Sequence, residues 1–218
     1  MSVLNGVFML KKGDFVKLEY TGYDKNGNIF DSTSGEISKT IRNREGPILI
    51  VYGYGQTIAG IEEKIKDLEP EKEVYIEIPL EKAFGKRKKE LMKIMKEEEF
   101  KRYEIIPKPG ITVHVDFENK RMYGLIKSVN SGRVLVDFNH PFAGQNLKYK
   151  IKLVEIIQNP HEKIEALILE SGLDCDFKLN DGILEISYKH SKEENSEKLR
   201  LLNTIKGLIS EVKEIRVN

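Results

Sequence analysis

Short runs of alternating hydrophobic and polar residues dominate the chain, and helical spacing interrupts them in only a few places. Between Asp14 and Tyr20, Val16, Leu18 and Tyr20 fall on one side of an extended chain, with Phe15, Lys17 and Glu19 on the other. That pattern predicts a half-buried strand. Asn26-Gly27 signals a hairpin turn into a short strand over residues 29–33. Residues 34–47, rich in Ser, Gly, Lys and Arg, read as a surface loop. The apolar, β-branched run 48–52 is short enough for a buried strand and is broken by Gly53 and Gly55. Ile58, Ile61, Ile65 and Leu68 then recur at helical spacing, with Glu62, Glu63, Lys64, Lys66 and Asp67 opposite and Pro70 just beyond. The rest of the chain is organised around this strand, glycine turn and amphipathic helix. Val74, Ile76 and Ile78 alternate up to Pro79, and Ala83-Phe84-Gly85 forms a turn.

The character changes at Lys86. Residues 86–100 are charged and read as helix, with Leu91, Met92, Ile94 and Met95 as their apolar positions. After Pro107-Lys108-Pro109-Gly110, three alternating strands follow over 111–117, 121–129 and 133–138, turning at Glu118-Asn119-Lys120 and Asn130-Ser131-Gly132. Leu147, Tyr149, Ile151 and Leu153 then alternate with Lys148, Lys150 and Lys152. Asn159-Pro160-His161-Glu162 is a helix start, with Asn as cap and Pro at the first position. A helix carrying Ile164, Leu167 and Ile168, two strands turning at Asn180-Asp181-Gly182, a helix carrying Leu199, Leu202, Ile205 and Ile209, and a last strand over 212–217 complete an αββαβ unit. The edges offered by 183–188 and 212–217 are only partly shielded by Lys189, Lys213 and Arg216, so a homodimer through this unit is expected.

Composition narrows the function classes. Lys and Arg number 36 against 35 Asp and Glu, so the net charge of +1 excludes a surface built throughout for nucleic acid. The run Lys86-Arg87-Lys88-Lys89 reads as a solvated face. No apolar run reaches membrane-spanning length, and the first residues lack the basic region of a secretory signal. The single Cys175 excludes an internal disulfide and, on the apolar side of a strand, reads as a buried inert thiol. A cytoplasmic protein without membrane or nucleic-acid partners is expected. Gly55 and Gly60 have the spacing of a phosphate loop, but Ile61 and Glu62 stand where Lys and Ser or Thr would be needed. Gly53-x-Gly55 lacks the third glycine of a dinucleotide fingerprint. His114, His140, His161 and His190 share no metal-ligand spacing, and no serine sits in a nucleophile elbow. No cofactor and no metal are expected.

Four motifs follow one another in order: Leu18-Glu19-Tyr20-Thr21-Gly22, Phe30-Asp31-Ser32, Gly55-Gln56-Thr57-Ile58-Ala59-Gly60-Ile61-Glu62-Glu63 and Ala83-Phe84-Gly85. Together they resemble the FKBP-type peptidyl-prolyl cis–trans isomerases. The insertion after Gly85, closed by Asn139-His140-Pro141-Phe142-Ala143-Gly144-Gln145-Asn146-Leu147, resembles the SlyD branch with its insert-in-flap domain. With a further C-terminal unit and no His- or Cys-rich tail, which argues against metal delivery, the whole is similar to a long-type archaeal FKBP. The resemblance implies an α+β fold, an antiparallel sheet wrapped around one helix. It divides the chain into an isomerase domain (1–85 and 140–157), a small β-rich insert-in-flap domain (86–139) and the C-terminal αββαβ unit (158–218).

The resemblance also implies a pocket lined by Tyr20, Phe30, Asp31, Ile48, Thr57, Ile58, Ile61, Phe84 and Tyr149, with the His140–Ala143 loop at its rim. Its partners would be unfolded or proline-containing polypeptides. Asp31 is the polar exception in this set, placed to interact with the twisting carbonyl or to fix pocket side chains; the lesser reading is a turn carboxylate with no role. Ile61 stands where many members carry Trp, and Phe84 where they carry Tyr, which argues against tight binding of macrolide inhibitors. The family further implies chaperone activity in the insert, where Leu91, Met92, Ile94, Met95, Tyr103, Ile105, Ile106 and Met122 form either a groove or an ordinary core. The rival reading is a holdase whose isomerase pocket has decayed. Convergence of Tyr20, Phe30, Asp31, Ile58 and Phe84 on one cavity would separate the two.

Overall fold

The computed structural model describes residues 3–4, 7–117, 120–189 and 195–217; the turn expected at 118–119 and His190 lie outside them. The fold is α+β, with two compact units: Met1–Ile78 together with Leu147–Asn218, and Pro79–Asn146. No helix among the described residues is long and apolar enough to cross a membrane.

The larger unit begins with a two-stranded ribbon, β1 (Val3–Leu4) and β2 (Val7–Phe8). Its main sheet is built from β3 (Phe15–Tyr23), β4 (Ile29–Ser32), β5 (Ile48–Val51), β6 (Glu73–Ile78) and β11 (Leu147–Ile157), in the order β4-β3-β11-β6. One long edge of β3 pairs with β11; on the other, β5 takes residues 15–18 and β4 takes residues 21–23. Every pairing is antiparallel. The amphipathic helix is α2 (Ala59–Ile65), shorter than its apolar spacing suggests, with Leu68 buried in the turn beyond it. Ile61 and Ile65 face the core. A Cβ at Gly60 would collide with Ile78, so the glycine lets α2 lie directly on β6. Ile78 pairs with Leu147, so the ends of the Pro79–Asn146 segment leave and re-enter the sheet side by side.

Residues 34–47 are not a plain loop. Gly35–Arg42 form a helix, α1, ended by Asn43 in the left-handed conformation. The apolar pattern misses it because its anchor is polar: Ser38 is buried, donates to the Arg44 carbonyl and accepts from Arg42, which also donates to the Gly46 carbonyl.

Phe15, expected on the polar side of β3, is completely buried. Alternation does place it on the face opposite Leu18, but that second face is covered too, and a register shift in β11 between Leu153 and Glu155 supplies an apolar partner there. Before the bulge, Leu153 faces Leu18; after it, Ile157 faces Phe15, on the opposite side of the sheet. Phe15, Val51 and Ile157 there join one core with Ile164, Leu184, Ile186, Ile205 and Ile209 of the C-terminal segment. That segment contains α4 (Pro160–Ser171), β12 (Cys175–Asn180), β13 (Ile183–Tyr188), α5 (Asn195–Leu208) and β14 (Glu214–Val217). The Asn159 side chain accepts from the His161 N–H, capping α4 as its sequence predicts. The sheet order is β12-β13-β14, so 183–188 form the central strand and not an edge; β13 needs both neighbours to satisfy its backbone. On α5 Leu201 and Ile205 face inward, while Leu199, expected in the core, is 58% exposed.

The unit Pro79–Asn146 holds a four-stranded antiparallel sheet of β7 (Met92–Lys96), β8 (Thr112–Phe117), β9 (Lys120–Asn130) and β10 (Arg133–Asp137), ordered β7-β10-β9-β8. The helix expected over 86–100 is therefore confined to α3 (Glu97–Lys101). Met92–Lys96 pairs along its whole length with β10, and this long-range pairing overrides local helix preference. Phe100, Val113, Val115, Ile126, Val134, Val136 and Phe138 form the core. Gly124 keeps β9 clear of Val136 and Phe138, which any Cβ would strike. At its base Asn139 exchanges hydrogen bonds with both backbone groups of Lys88, at 2.8 and 3.0 Å. Asp137 accepts from Asn139 and pairs with Arg87. Burial alone would raise the Asp137 carboxyl pKa, but the bonds from Asn139 and Arg87 hold it below the usual range.

Candidate functional site

Four of the residues singled out in the sequence meet at the β4 end of the main sheet. Tyr20 on β3 and Asp31 on β4 are joined by a hydrogen bond in which the Tyr20 hydroxyl donates to Asp31 Oδ2 at 2.8 Å. The Thr33 side chain fixes the backbone beneath them, its hydroxyl accepting from the Tyr20 N–H at 2.9 Å. Tyr149 on β11 is the register partner of Gly22. Its ring lies 6.2 Å from Tyr20 and meets Phe30 edge-on at 5.8 Å. This aromatic corner depends on Gly22, because a Cβ there would stand 2.8 Å from Phe30 Cζ and 2.9 Å from Tyr149 Cε1.

The helix side contributes Ile61, buried in α2, and the half-buried Thr57 and Ile58 ahead of it. Ile58 occupies the cap position and has no polar side-chain atom, so no side chain caps α2. Ile48, at the start of β5, lines a cleft of about 560 Å³ together with Tyr20. Phe84 belongs to the Pro79–Asn146 unit, where it stacks on His140 at 3.7 Å between centroids and 9° between planes, with Phe142 at 6.1 Å.

Burial sets the electrostatics. Desolvation pushes the Tyr20 phenol well above its ordinary range; the hydrogen bond to Asp31 and its charge add to this, and the Arg42 charge opposes it. Tyr149 is raised in the same way, by burial first and the Asp31 charge second. Both hydroxyls thus stay protonated donors at neutral pH. Asp31 Oδ1 and the Thr57 hydroxyl oxygen are buried and have no hydrogen-bond partner among the described residues. Each such group costs about 1–3 kcal/mol when left unpaired. The corner is an aromatic surface in which Asp31 is the one carboxylate. It contains no activated nucleophile.

Sequence reasoning passed over two polar residues of the cleft. Gln56 is pinned to β5 by accepting the Val51 N–H at 2.6 Å. Arg42 donates through Nη2 to Ser38 and Gly46, while its Nε and Nη1 are buried and unpartnered among the described residues. The Ser38/Arg42 spacing of four was the available signal, hidden because residues 34–47 lack an apolar stripe.

Comparison with known proteins gives one consistent answer. Residues 93–142 match the family described as the FKBP26 IF domain. A short-type peptidyl-prolyl cis-trans isomerase of Methanocaldococcus jannaschii is 31% identical over 153 residues, spanning 68% of this chain and 94% of that protein. The FKBP-type 16 kDa peptidyl-prolyl cis-trans isomerase of Escherichia coli K12 is 26% identical over 122 residues, 56% of this chain and 82% of its own length. The FKBP-type isomerase SlyD of Treponema pallidum is 24% identical over 169 residues, 73% and 87% of the two chains.

The Phe84–His140 stack carries a pH dependence. Burial lowers the His140 pKa, and the Phe142 N–H donates to its Nδ1 at 3.3 Å, which requires that nitrogen to be unprotonated. A histidine whose pKa falls on folding binds its proton better when unfolded, so this turn is stable above the ordinary histidine value of about 6.5 and weakens as pH drops below it. An NMR titration is expected to place His140 below that value. A midpoint at or above it would contradict the assignment.

Proposed function

The chain belongs to the FKBP-type peptidyl-prolyl cis–trans isomerases, in their SlyD-like branch, and from that premise we propose that Tyr20, Phe30, Asp31, Ile48, Thr57, Ile58, Ile61 and Tyr149 form the pocket in which an X-Pro amide is rotated, and that Phe84 serves the same reaction. The supporting observation is the Tyr20–Asp31 hydrogen bond set among Phe30 and Tyr149, beside buried acceptors left without partners.

Rotation breaks amide resonance at a cost of about 18–20 kcal/mol, which makes uncatalysed X-Pro exchange take roughly tens to hundreds of seconds. The planar amide is the more charge-separated form and is better solvated by water. An apolar aromatic pocket around proline removes that solvation and favours the twisted state by comparison. A thousandfold acceleration needs only about 4 kcal/mol of such difference. In this scheme no covalent intermediate forms. Asp31 holds the Tyr20 ring and faces the twisting amide, while Ile61 and Tyr149 make the dry floor.

Asp31→Ala and Tyr20→Phe are each expected to lower kcat/KM for a blocked prolyl tetrapeptide about tenfold, the scale of losing a charge-assisted hydrogen bond. Circular dichroism should remain that of the wild type. Unchanged turnover in both variants would remove these residues from the mechanism. Absence of turnover in the wild type would favour the holdase reading.

The proposal includes a chaperone role for the insert, within a three-part division into isomerase (1–85, 140–157), insert (86–139) and C-terminal (158–218) domains. Leu91, Met95, Ile105 and Met122 pack against the insert core, but Ile94, Ile106 and Tyr123 are 69%, 74% and 64% exposed. Ile94 is the register partner of Leu135, and Val134 and Val136 point inward, so Ile94 and Leu135 share the outer face of the sheet. An apolar outer face beside strand edges suits extended, unfolded polypeptide. Replacing Ile94, Ile106 and Tyr123 by Ser should slow proline-limited refolding of a protein substrate while tetrapeptide turnover is kept. Equal refolding rates would discard the chaperone surface.

Two copies pairing through the C-terminal sheet edges, β12 or β14, would join two isomerase arms into a bivalent clamp for one unfolded chain. Light scattering of the full chain at micromolar concentration is expected to give a dimer, and a monomer would rule the clamp out.

A further inference from the structure

We propose that helices α4 and α5 form the outer wall of the polypeptide site, so that the C-terminal unit binds the extended residues flanking the prolyl bond. The inference rests on the isomerase reading and adds a subsite to it. Tyr20 and Ile48, assigned there to the proline pocket, also line the 560 Å³ cleft, whose far side is made by Leu167 of α4 and by Arg200, Leu201 and Thr204 of α5. Clefts of about 300–1,000 Å³ hold ligands of drug size, which for a peptide means more than the proline ring. A polypeptide that seats proline against Tyr20 and Ile48 would continue along this cleft.

Its chemistry suits a peptide backbone. Arg42 lines the cleft and is held by its Nη2 bonds to Ser38 and Gly46, with Nε and Nη1 buried below the surface. The exposed Arg200 supplies the N–H donors there, and the carbonyl oxygens of an extended chain are neutral acceptors for them. An anionic ligand fits less well. Arg42 and Arg200 are balanced by Glu170 and Glu197 in the same lining, and Arg44 pairs with Glu170. Leu167 and Leu201 line the cleft from the C-terminal core, in which both are buried, so the base of the cleft is rigid.

The test compares a blocked prolyl tetrapeptide with a peptide of roughly ten residues carrying the same central X-Pro bond, because only binding to flanking residues distinguishes them. Isomerisation is measured by NMR exchange on the full chain, wild type, Thr204→Trp and Arg200→Ala. Both substitutions lie on α5, outside the proline pocket. The wild type should show kcat/KM about tenfold higher for the longer peptide, mainly through KM. Thr204→Trp, which fills the cleft, should erase that advantage and leave tetrapeptide turnover unchanged; Arg200→Ala should reduce it. Tetrapeptide turnover with no preference for the longer peptide would overturn the subsite alone, as would a preference surviving both substitutions. Competition against the longer peptide by millimolar inorganic phosphate would assign the arginines of the cleft to an anion and overturn it as well. No turnover of either peptide would remove the isomerase reading and the subsite with it.

Discussion

The antiparallel pairing of β3 with β11, which joins residues 15–23 to residues 148–157, is the constraint on which the larger unit depends. It sets Tyr149 opposite Gly22 and brings the Tyr149 ring to Tyr20 and Phe30. β11 also holds β6 on its other edge, so Ile78 and Leu147 become neighbours. A whole compact unit can then be spliced between those two residues without moving the sheet. Loop-closure entropy grows only logarithmically with length, and an insertion that folds on its own core adds little further cost.

A single bulge in β11 gives this sheet two working faces. On one side Leu18, Ile151 and Leu153 continue the core that α2 covers. On the other, Phe15 and Ile157 are buried with the C-terminal residues. A segment of about sixty residues would bury too little apolar surface alone. Here the isomerase sheet supplies the missing part of its core, so the C-terminal helices are docked beside β5. The same docking brings α4 and α5 to the cleft that Tyr20 and Ile48 line.

Asp31, Thr57 and Arg42 carry buried polar atoms that find no partner among the described residues. Folded proteins pair most such groups, and each exception weakens the fold by about 1–3 kcal/mol. The exceptions fall on elements that border the proposed peptide site. Packing elsewhere in the fold has to offset that cost.

Period-two alternation, one β-branched run and turn chemistry were enough to read β3, β4, β5, β6, β8 to β13 and the Asn159 cap, because each is a local property of the chain; the α+β class came with the family resemblance. The order of four short motifs carried the family. Other features needed partners distant in sequence. Residues 92–96 are helix-prone by composition and become a strand only because β10 pairs with them. Helix α1 has no apolar stripe and is tied down by Ser38 and Arg42, which alternation cannot reveal. Phe15 looks solvent-facing until the C-terminal segment, distant in sequence, covers it. Of the residues named for the pocket, Tyr20, Phe30, Asp31 and Tyr149 are joined by contacts whose distances depend on strand register. Local spacing determines which face of an element is apolar; which other element covers that face is decided by long-range register, and Arg42, Gln56 and the α5 wall belong to that second category.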